Sequence, residues 1–424
     1  MASRAALGPA PTGRSFNVML AIIALSIGGF GIGTTEFAVM GLLPDIADGM
    51  NVSIPHAGYA VSAYALGVVV GAPVLAFFGA RWPRKHLLMT LMVVFALGNF
   101  LSSVAPNFGL LIAARFFSGL PHGAFFGVAA VVAASLVEPS KRGQAVAKVM
   151  IGLAIANVFG VPFATWVGQA FGWRLAFTIV AAIGLLAVGM IARFVPLQPV
   201  ERRVGMSREL DILKRGQLWL TLLIGTVGFG GVFAVYSYIT PTMTKVAGFG
   251  DDAIPFILMA YGLGMVSGNI LGGRMADKSV LGSIYFGMIA MTLVLFAFTF
   301  AAHNKVTAVI GVYLIGLMCS TIFPAVSMRL MDLAPDGQSL ASSMSHSAFN
   351  VANALGAWLG GLVISFGWGY TAPAAVGSVL AVLGIGVVWL STRGDAARLA
   401  EDHQAQAHPV IEIAPPATAT PGTD

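Results

Sequence analysis

A single carboxylate lies deep within the apolar segments of this chain. Glu36 follows Thr34 and Thr35 inside the first long apolar run, and it is the only carboxylate that we place in such a region. An ionisable group in apolar surroundings is expensive and marks a functional site by default. Burial favours the neutral form of a carboxyl group, so this group can gain and lose a proton as its surroundings change. The alternative is that Glu36 only binds neighbouring backbone or hydroxyl groups.

The fourth apolar run contains a deep arginine at a matching level. Arg115 lies seven residues from one end of its run, and Glu36 lies seven residues from the corresponding end of the first run. At 1.5 Å per helical residue, both lie ~10 Å below the same surface and could share one layer. A nearby arginine favours the ionised carboxylate, so a change in their separation would change the proton affinity of Glu36. A static buried ion pair is the alternative.

Two histidines also fall within apolar runs. His122 lies seven residues after Arg115, which returns it to nearly the same helix face two turns deeper. It could bind a ligand or relay protons, because an unperturbed histidine titrates near neutrality. A buried neutral histidine that is bonded to a backbone carbonyl is an equal alternative. His346, in the eleventh run, has the same two interpretations.

Buried amides and tyrosines form a further group of candidates. Asn157 and Asn353 occupy equivalent positions in the middle of two runs; we favour a link between helices, and contact with a ligand in a substrate cavity is the alternative. Phe233 and Tyr236 are candidates for the same cavity. With Tyr238, Tyr236 could also be an interfacial aromatic residue.

Composition defines the kind of molecule that must position these residues. The chain has 424 residues, of which 57% are hydrophobic and 9% charged, against about 25% charged residues in soluble domains. This excludes a cytosolic enzyme, a nucleic-acid-binding module and a disordered chain. The lone cysteine, Cys319, excludes an intrachain disulfide or a cysteine-based metal site, and we expect no cofactor. The sequence therefore predicts an integral membrane protein.

Twelve apolar runs are long enough to cross a bilayer, which requires ~20 residues. They cover about 17–43, 57–79, 87–104, 108–136, 144–169, 175–194, 217–240, 254–275, 281–301, 306–328, 340–364 and 371–391. With a cytoplasmic N-terminus, nineteen of the 23 Lys and Arg residues lie on the cytoplasmic side and three outside. The positive-inside rule then predicts a multi-pass protein of the cell membrane with both termini in the cytoplasm.

The second half of the chain repeats the first. Motifs recur 194 to 197 residues apart, as in Gly143-Gln144 and Gly337-Gln338, or Gly172-Trp173 and Gly367-Trp368. We predict an all-α membrane protein with two pseudo-symmetric six-helix bundles. The predicted parts are a disordered segment 1–15, bundles 16–194 and 217–392, a cytoplasmic linker 195–216 and a largely disordered tail 393–424.

Five stretches resemble one transporter family. They are Gly33–Phe37, Ser53–Pro55, Tyr64–Pro73, Gly119–Gly127 and Asn157–Pro162. On these residues the chain resembles the major facilitator superfamily, and most of all the drug:proton antiporter branch that contains the arabinose-efflux and chloramphenicol-efflux permeases. The resemblance implies two rocking bundles, with spans 1, 4, 7 and 10 around a central cavity.

The resemblance also implies roles for individual residues. A first-helix acidic residue couples protons in these antiporters, and Glu36 stands at that position, whereas the second repeat has Phe233 there. Arg115 matches the arginine of the fourth-helix motif. A set of small residues and a proline resembles the fifth-helix antiporter motif and suits a helix pivot, although Val161 interrupts the glycine–proline pair: Gly152, Gly160, Pro162 and Gly168.

A charged latch on the cytoplasmic side is the last feature that the family implies. The first half keeps the basic residues of the loop motif but has Ala80 in place of its aspartate: Arg81, Arg84 and Lys85. The second half keeps Gly273, Asp277 and Lys278. We infer that the gate depends on Asp277 with a basic partner. The basic residues could equally serve topology alone.

These features favour a secondary transporter that exports a small organic solute in exchange for a proton. A uniporter or importer of the same fold is the alternative, because Glu36 and Arg115 do not define direction. An intramembrane enzyme is disfavoured, since the chain lacks nucleophile–base pairs and metal-ligand motifs. The expected partners are a drug-like or sugar-like solute, protons and lipid, and the expected state is a monomer without nucleic acid.

Overall fold

The structure, a computed structural model, describes residues 17–79, 82–198, 214–333 and 338–407. Within these ranges the regular elements are helices, and none is a strand. Twelve spans are long and apolar enough to cross a membrane, which confirms the predicted all-α fold. Spans 1 to 6 are Val18–Gly41, Ile54–Leu75, Arg84–Ser103, Phe108–Ser135, Pro139–Phe171 and Trp173–Phe194. Spans 7 to 12 are Gly216–Ser237, Asp251–Ala276, Val280–Ala301, Lys305–Asp332, Met344–Ser365 and Ala372–Gly394.

Polar side chains define where several spans begin. Asn17 accepts hydrogen bonds from the Met19 and Leu20 amides at the start of span 1. Asn107 does the same at the start of span 4, and Asn304 at the start of span 10. Each cap satisfies amides that have no partner within the helix. Apolar length and local caps together explain why the predicted boundaries agree with the structure.

Several spans consist of two or more helical segments, whereas the predicted apolar runs are continuous. A proline or a short irregular turn lies at most of these breaks. Proline breaks a helix because it has no backbone N–H group to donate. Span 1 (Val18–Gly41) is followed by Leu43–Met50, span 2 comprises Ile54–Ala57 and Tyr59–Gly79, and span 4 comprises Phe108–Gly119 and Pro121–Ser135. Span 5 comprises Pro139–Lys141, Arg142–Ile155, a π-helical turn Ala156–Gly160 and Val161–Phe171.

The second bundle shows similar interruptions. Span 7 (Gly216–Tyr236) is followed by a short helix Ile239–Lys245, and span 8 joins Asp251–Ala253 to Ile254–Ala276. Spans 3, 6, 9 and 10 are the helices Arg84–Ser103, Trp173–Phe194, Val280–Ala301 and Lys305–Asp332. The helices of spans 11 and 12 are Gln338–Ser365 and Ala372–Ala407.

The six spans of each half pack in the same order. Span 1 packs on spans 5 and 6, span 2 on span 4, and span 3 on spans 4 and 6. In the second half, span 7 packs on spans 11 and 12, span 8 on span 10, and span 9 on spans 10 and 12. Adding six to each number of the first set produces the second. The internal repeat of the sequence is therefore also a repeat of helix packing.

The two bundles meet along a seam formed by two pairs of spans. Span 2 packs on span 11, and span 5 packs on span 8. We call the face where spans 1, 5 and 7 end the outer side, because the positive-inside pattern predicts it to be extracellular. On that side Ser62 Oγ donates to the Ala354 carbonyl across the seam at 3.1 Å. Gly262 of span 8 lies against the Asn157 carbonyl of span 5, where a Cβ atom would not fit.

Parts of the predicted domain organisation cannot be compared with the structure. Residues 1–15, most of the linker and the end of the tail lie outside the described residues. The last helix continues to Ala407, so the segment after residue 393, which we expected to be largely disordered, begins as a helix.

Candidate functional site

Glu36 lies at the seam between the bundles, near the end of span 1. Its side chain is 7% exposed. Its electrostatic neighbours are Arg115 and Tyr64 from its own bundle and Tyr261 and Cys319 from the other. No hydrogen bond or ion pair joins Glu36 to another described residue. A carboxyl group in this position is buried, unpartnered and shared between the two bundles.

Arg115 is fully buried, and its partners come from its own bundle. Its Nη1 donates to Thr35 Oγ1 at 2.9 Å and its Nη2 to the Thr35 carbonyl at 3.1 Å. The guanidinium lies 4.5 Å from the centre of the Tyr64 ring and 5.4 Å from that of Phe177. Thr35 Oγ1 in turn donates to Asn99 Oδ1. Arg115 therefore links spans 1, 2, 3, 4 and 6.

The static Glu36–Arg115 ion pair, one of the two alternatives from the sequence, is not formed between these two described residues. Arg115 binds Thr35, the residue before Glu36, because adjacent residues of a helix point in directions about 100° apart. The arginine still acts electrostatically on the carboxyl group. Its role in proton coupling stays a prediction.

The two histidines meet across the seam. His122 Nδ1 lies 3.1 Å from Tyr64 Oη, and the His122 and His346 rings are 6.4 Å apart. His346 stacks on Phe126 with ring centres 5.9 Å apart, and it contacts Phe323 at the same distance. His122 is thus bonded to a tyrosine hydroxyl rather than to the backbone carbonyl of the alternative interpretation.

The expected helix links by Asn157 and Asn353 are wrong for this structure. Asn157 Nδ2 donates to the Leu153 carbonyl of its own span at 2.9 Å, and its Oδ1 has no partner. Neither amide atom of Asn353 has a partner, although only 1% of this residue is exposed. Asn350, one turn before Asn353, leaves its Oδ1 unpartnered as well. Buried polar atoms without partners are rare in proteins, and each needs an explanation.

Tyr236 and Tyr238 are not interfacial aromatics, because both are only 1% exposed. The Tyr236 ring stacks on Tyr261, with centres 3.8 Å apart, and meets Phe37 of the first bundle edge-on. Tyr238 Oη donates to the Ala357 carbonyl of span 11 at 2.8 Å. Phe233, at the position equivalent to Glu36, is also buried. These residues close the seam on the outer side of Glu36.

The four pivot residues of span 5 face span 1 or follow its π-helical turn. A Cβ atom at Gly152 would collide with the Ser26 carbonyl, and one at Gly160 or Gly168 would collide with Thr34 or Leu42. Pro162 begins the helix after the turn Ala156–Gly160. The glycines therefore allow close packing of spans 1 and 5, and their action as a pivot stays a prediction.

The predicted cytoplasmic latch is only partly described. Arg81 lies outside the described residues, Arg84 has a partner, and Lys85 Nζ donates to the Ala192 carbonyl at 2.6 Å. Gly273, Asp277 and Lys278 lie at the inner end of span 8, where the two charged residues are exposed. Asp277 makes no ion pair within 4.0 Å to a described residue.

Sequence reasoning missed a buried arginine on the inner side. We counted Arg329 among loop residues beyond a span that ended at residue 328, but span 10 continues to Asp332 and Arg329 is 8% exposed. Its Nη2 donates to Ser391 Oγ at 2.7 Å, and its Nε donates to Thr221 Oγ1 at 3.3 Å. Its partners, Thr221 on span 7 and Ser391 on span 12, are polar residues inside or next to apolar runs, and they were the sequence signal for a buried polar group here.

Known proteins with similar sequences are membrane transporters. The family model described as Major Facilitator Superfamily matches residues 25–338 and 251–419. "Inner membrane transport protein YdhP" of Escherichia coli (strain K12) is 40% identical over 372 residues, which cover 88% of this chain and 96% of that protein. "Chloramphenicol resistance protein" of Streptomyces lividans is 30% identical, covering 80% and 87%. "Probable sugar efflux transporter" of Mannheimia succiniciproducens is 28% identical, covering 87% and 92%.

A solved structure agrees with the fold. The crystal structure of a D-xylose-proton symporter superposes with a TM-score of 0.71 at 15% identity, covering 88% of this chain and 97% of that one. Together with the relatives, this likeness confirms the resemblance inferred from the sequence motifs and the helical fold that it implied.

Proposed function

Because this chain belongs to the Major Facilitator Superfamily, we propose that it exports a small polar organic solute in exchange for protons. Glu36 carries this proposal, since it is a buried carboxyl group without a partner at the boundary of the two bundles. A neutral, protonated carboxyl group tolerates sealed apolar surroundings, whereas an ionised one requires water or a polar partner. Glu36 can therefore be buried in its protonated form, and it can release the proton when it becomes accessible to water.

The unpartnered groups near the seam support a solute that offers hydrogen bonds. Asn353 has a free donor and a free acceptor, and Asn350 and Asn157 each leave one polar atom unpartnered. Hydroxyl, amide or carbonyl groups of a solute would satisfy them, whereas an apolar compound would not. The names of the relatives include a chloramphenicol resistance protein and a sugar efflux transporter. A neutral solute with several hydroxyl or amide groups is the class that we propose.

In this mechanism Glu36 alternates between two states. When the outer side opens, the carboxylate takes a proton from outside, and the neutral group is then sealed as the seam closes. When the inner side opens, Glu36 releases the proton to the cytoplasm and a solute enters. With both termini of the chain in the cytoplasm, the outer side faces the exterior of the cell. The inward proton gradient across the cell membrane would then drive solute outward. A monomer contains every residue that this cycle uses.

Transport in reconstituted vesicles tests the proposal, with a pH-sensitive dye inside and a panel of amphenicols and neutral sugars. We expect Glu36→Gln to lose uphill transport driven by a pH gradient by at least about 10-fold, because its amide cannot carry a proton. Exchange of labelled for unlabelled solute should persist. The matched control is Glu138→Gln, since Glu138 is exposed and pairs with Lys141 at 3.4 Å. Unchanged pH-driven transport by Glu36→Gln, or wild-type transport without proton flux, would reject coupling and favour the uniporter.

A further inference from the structure

Thr240 forms a hydrogen bond between the bundles on the outer side. It lies on the short helix Ile239–Lys245 that follows span 7, and it is only 1% exposed. Its Oγ1 lies 3.2 Å from the Met40 carbonyl and 3.0 Å from the Gly41 carbonyl, both in the last turn of span 1. One hydroxyl of the second bundle thus binds the end of the first span of the first bundle.

The end of span 1 requires such a donor. In a continuous helix the Met40 carbonyl would accept from residue 44, but residue 44 is proline and has no N–H group. The helix also breaks at Leu42, which separates span 1 from Leu43–Met50. Carbonyls at a helix end must find partners elsewhere when they are buried. Thr240 supplies that partner only while the two bundles are in contact.

Neighbouring contacts place Thr240 within the closed outer seam. Gly41 lies against Leu258 of span 8, and the helix Ile239–Lys245 packs on Leu43–Met50. Tyr236, four residues before Thr240, meets Phe37. Separation of the bundles on this side would move Thr240 away from both carbonyls.

The sequence repeat provides no equivalent hydrogen bond from the first bundle to the second. Pro241 is the counterpart of Pro44, 197 residues later, and the same offset pairs Thr240 with Leu43. Leucine has no hydroxyl, so the first bundle cannot offer the equivalent bond in return. The outer closure therefore depends on a donor from the second bundle.

We propose that Thr240 is the latch of the outer side, and that its hydrogen bond to the end of span 1 sets the ratio of outward-open to outward-closed molecules. The proposal rests on the proposed function, because an alternating-access cycle must break this contact once in each turnover. Thr240 positions the bundles and does not contact the solute.

Spin-label distances across the outer seam test the latch in purified protein in lipid nanodiscs. Labels at Phe171→Cys and His303→Cys, two exposed positions on opposite bundles, report outer opening by double electron–electron resonance. All variants carry Cys319→Ser, which removes the only cysteine. We expect Thr240→Val to raise the open-to-closed ratio about 2- to 10-fold, the effect of one lost hydrogen bond. Thr240→Ser, which keeps the hydroxyl, should restore the wild-type distribution.

The matched control lies one turn further along the same helix. Thr244 Oγ1 donates at 3.1 Å to the Thr240 carbonyl, which belongs to its own helix, so Thr244→Val should leave the distances unchanged. A wild-type distribution in Thr240→Val would overturn the latch, as would an equal shift in Thr240→Ser. Thr240→Ala tests the same bond if the valine variant does not fold. The distances require neither solute nor proton flux, so they separate failure of the latch from failure of the antiport.

Discussion

At the scale of residues, the buried polar groups are of two kinds, those with hydrogen-bond partners and those without. Arg115 and Asn99 are buried with their hydrogen bonds satisfied, whereas Glu36 and Asn353 are buried without partners. A satisfied network stabilises the fold. An unsatisfied group lowers stability, and it remains available to a proton or a solute. The roles that we propose for Glu36 and Asn353 rest on this contrast.

Replacing one asparagine of each kind should show opposite effects. Asn353→Leu removes an unsatisfied amide, so we expect stability that is unchanged or raised by up to about 1 kcal/mol, with solute affinity reduced about 10-fold. Asn99→Leu removes bonds to Thr35 and to the Phe95 carbonyl, and it should lower stability by about 2 kcal/mol. Unfolding curves and equilibrium solute binding measure both effects. Full solute affinity in a stable Asn353→Leu variant would contradict a contact with solute.

At the scale of elements, the breaks in the spans create contacts that a continuous helix cannot make. The interruption after Gly41 starts the helix Leu43–Met50, which carries Asp45 to the outer seam. There burial, together with Asp251 and Asp48, raises the pKa of Asp45 to about 6, from an ordinary value of 3.8. The elements that pack here also carry Glu36 on span 1, His56, Asp252 and Lys245, and Lys245 donates to Tyr370 Oη at 3.3 Å.

The raised pKa of Asp45 predicts a pH-dependent outer seam. If opening returns Asp45 to water and to its ordinary pKa, the closed state binds the proton more tightly. The proton's contribution to closure is then complete below about pH 4 and is lost as the pH rises through about 6. The closed fraction, measured with the same label pair, should therefore fall between pH 4.5 and 7.5.

Two substitutions check the origin of this pH dependence. Asp45→Asn should remove it, because an amide does not titrate in this range. Asp252→Asn is the matched control, since Asp252 neighbours Asp251 but is not among the groups acting on Asp45. A titration in Asp45→Asn identical to that of wild type would assign the effect to another group.

At the scale of the whole molecule, the two bundles are joined by close backbone packing as well as by side chains. Gly262 of span 8 lies against the π-helical turn of span 5, and its position leaves no room for a Cβ atom beside the Asn157 carbonyl. A closely packed core does not tolerate an added atom at such a contact without shifts of the backbone. Glycine at this position therefore allows spans 5 and 8 to pack in direct backbone contact.

One methyl group added at Gly262 tests this contact between spans 5 and 8. Gly262→Ala forces spans 5 and 8 apart, so we expect a larger outward-open population by the same distance measurement, and slower pH-driven transport. Gly386→Ala, on span 12, is the control because its Cβ position meets no neighbouring segment within 4 Å. Equal distance distributions in the two variants would show that the contact at Gly262 is not limiting.

Much of the architecture follows from the sequence by itself. Apolar run length and basic loop residues act locally, so they predict spans and topology without knowledge of packing. The motif repeat predicted two halves, and ionisable residue types inside apolar runs indicated Glu36 and His122. Local signals do not fix how far each helix rotates about its axis. For that reason the sequence allowed a Glu36–Arg115 ion pair where the structure bonds Arg115 to Thr35.

Only the tertiary structure decided which polar groups have partners. Thr35 and Arg115 are 80 residues apart, and Thr240 and Met40 are 200 residues apart. Such bonds depend on helix rotation, on breaks such as that at Leu42, and on how the bundles meet. A difference of one residue in register turns a side chain by about 100°, which is enough to replace a partner with none. Hydrophobic length therefore determined the twelve spans, whereas the free carboxyl group, the unpartnered amides and the Thr240 contact arose from three-dimensional packing.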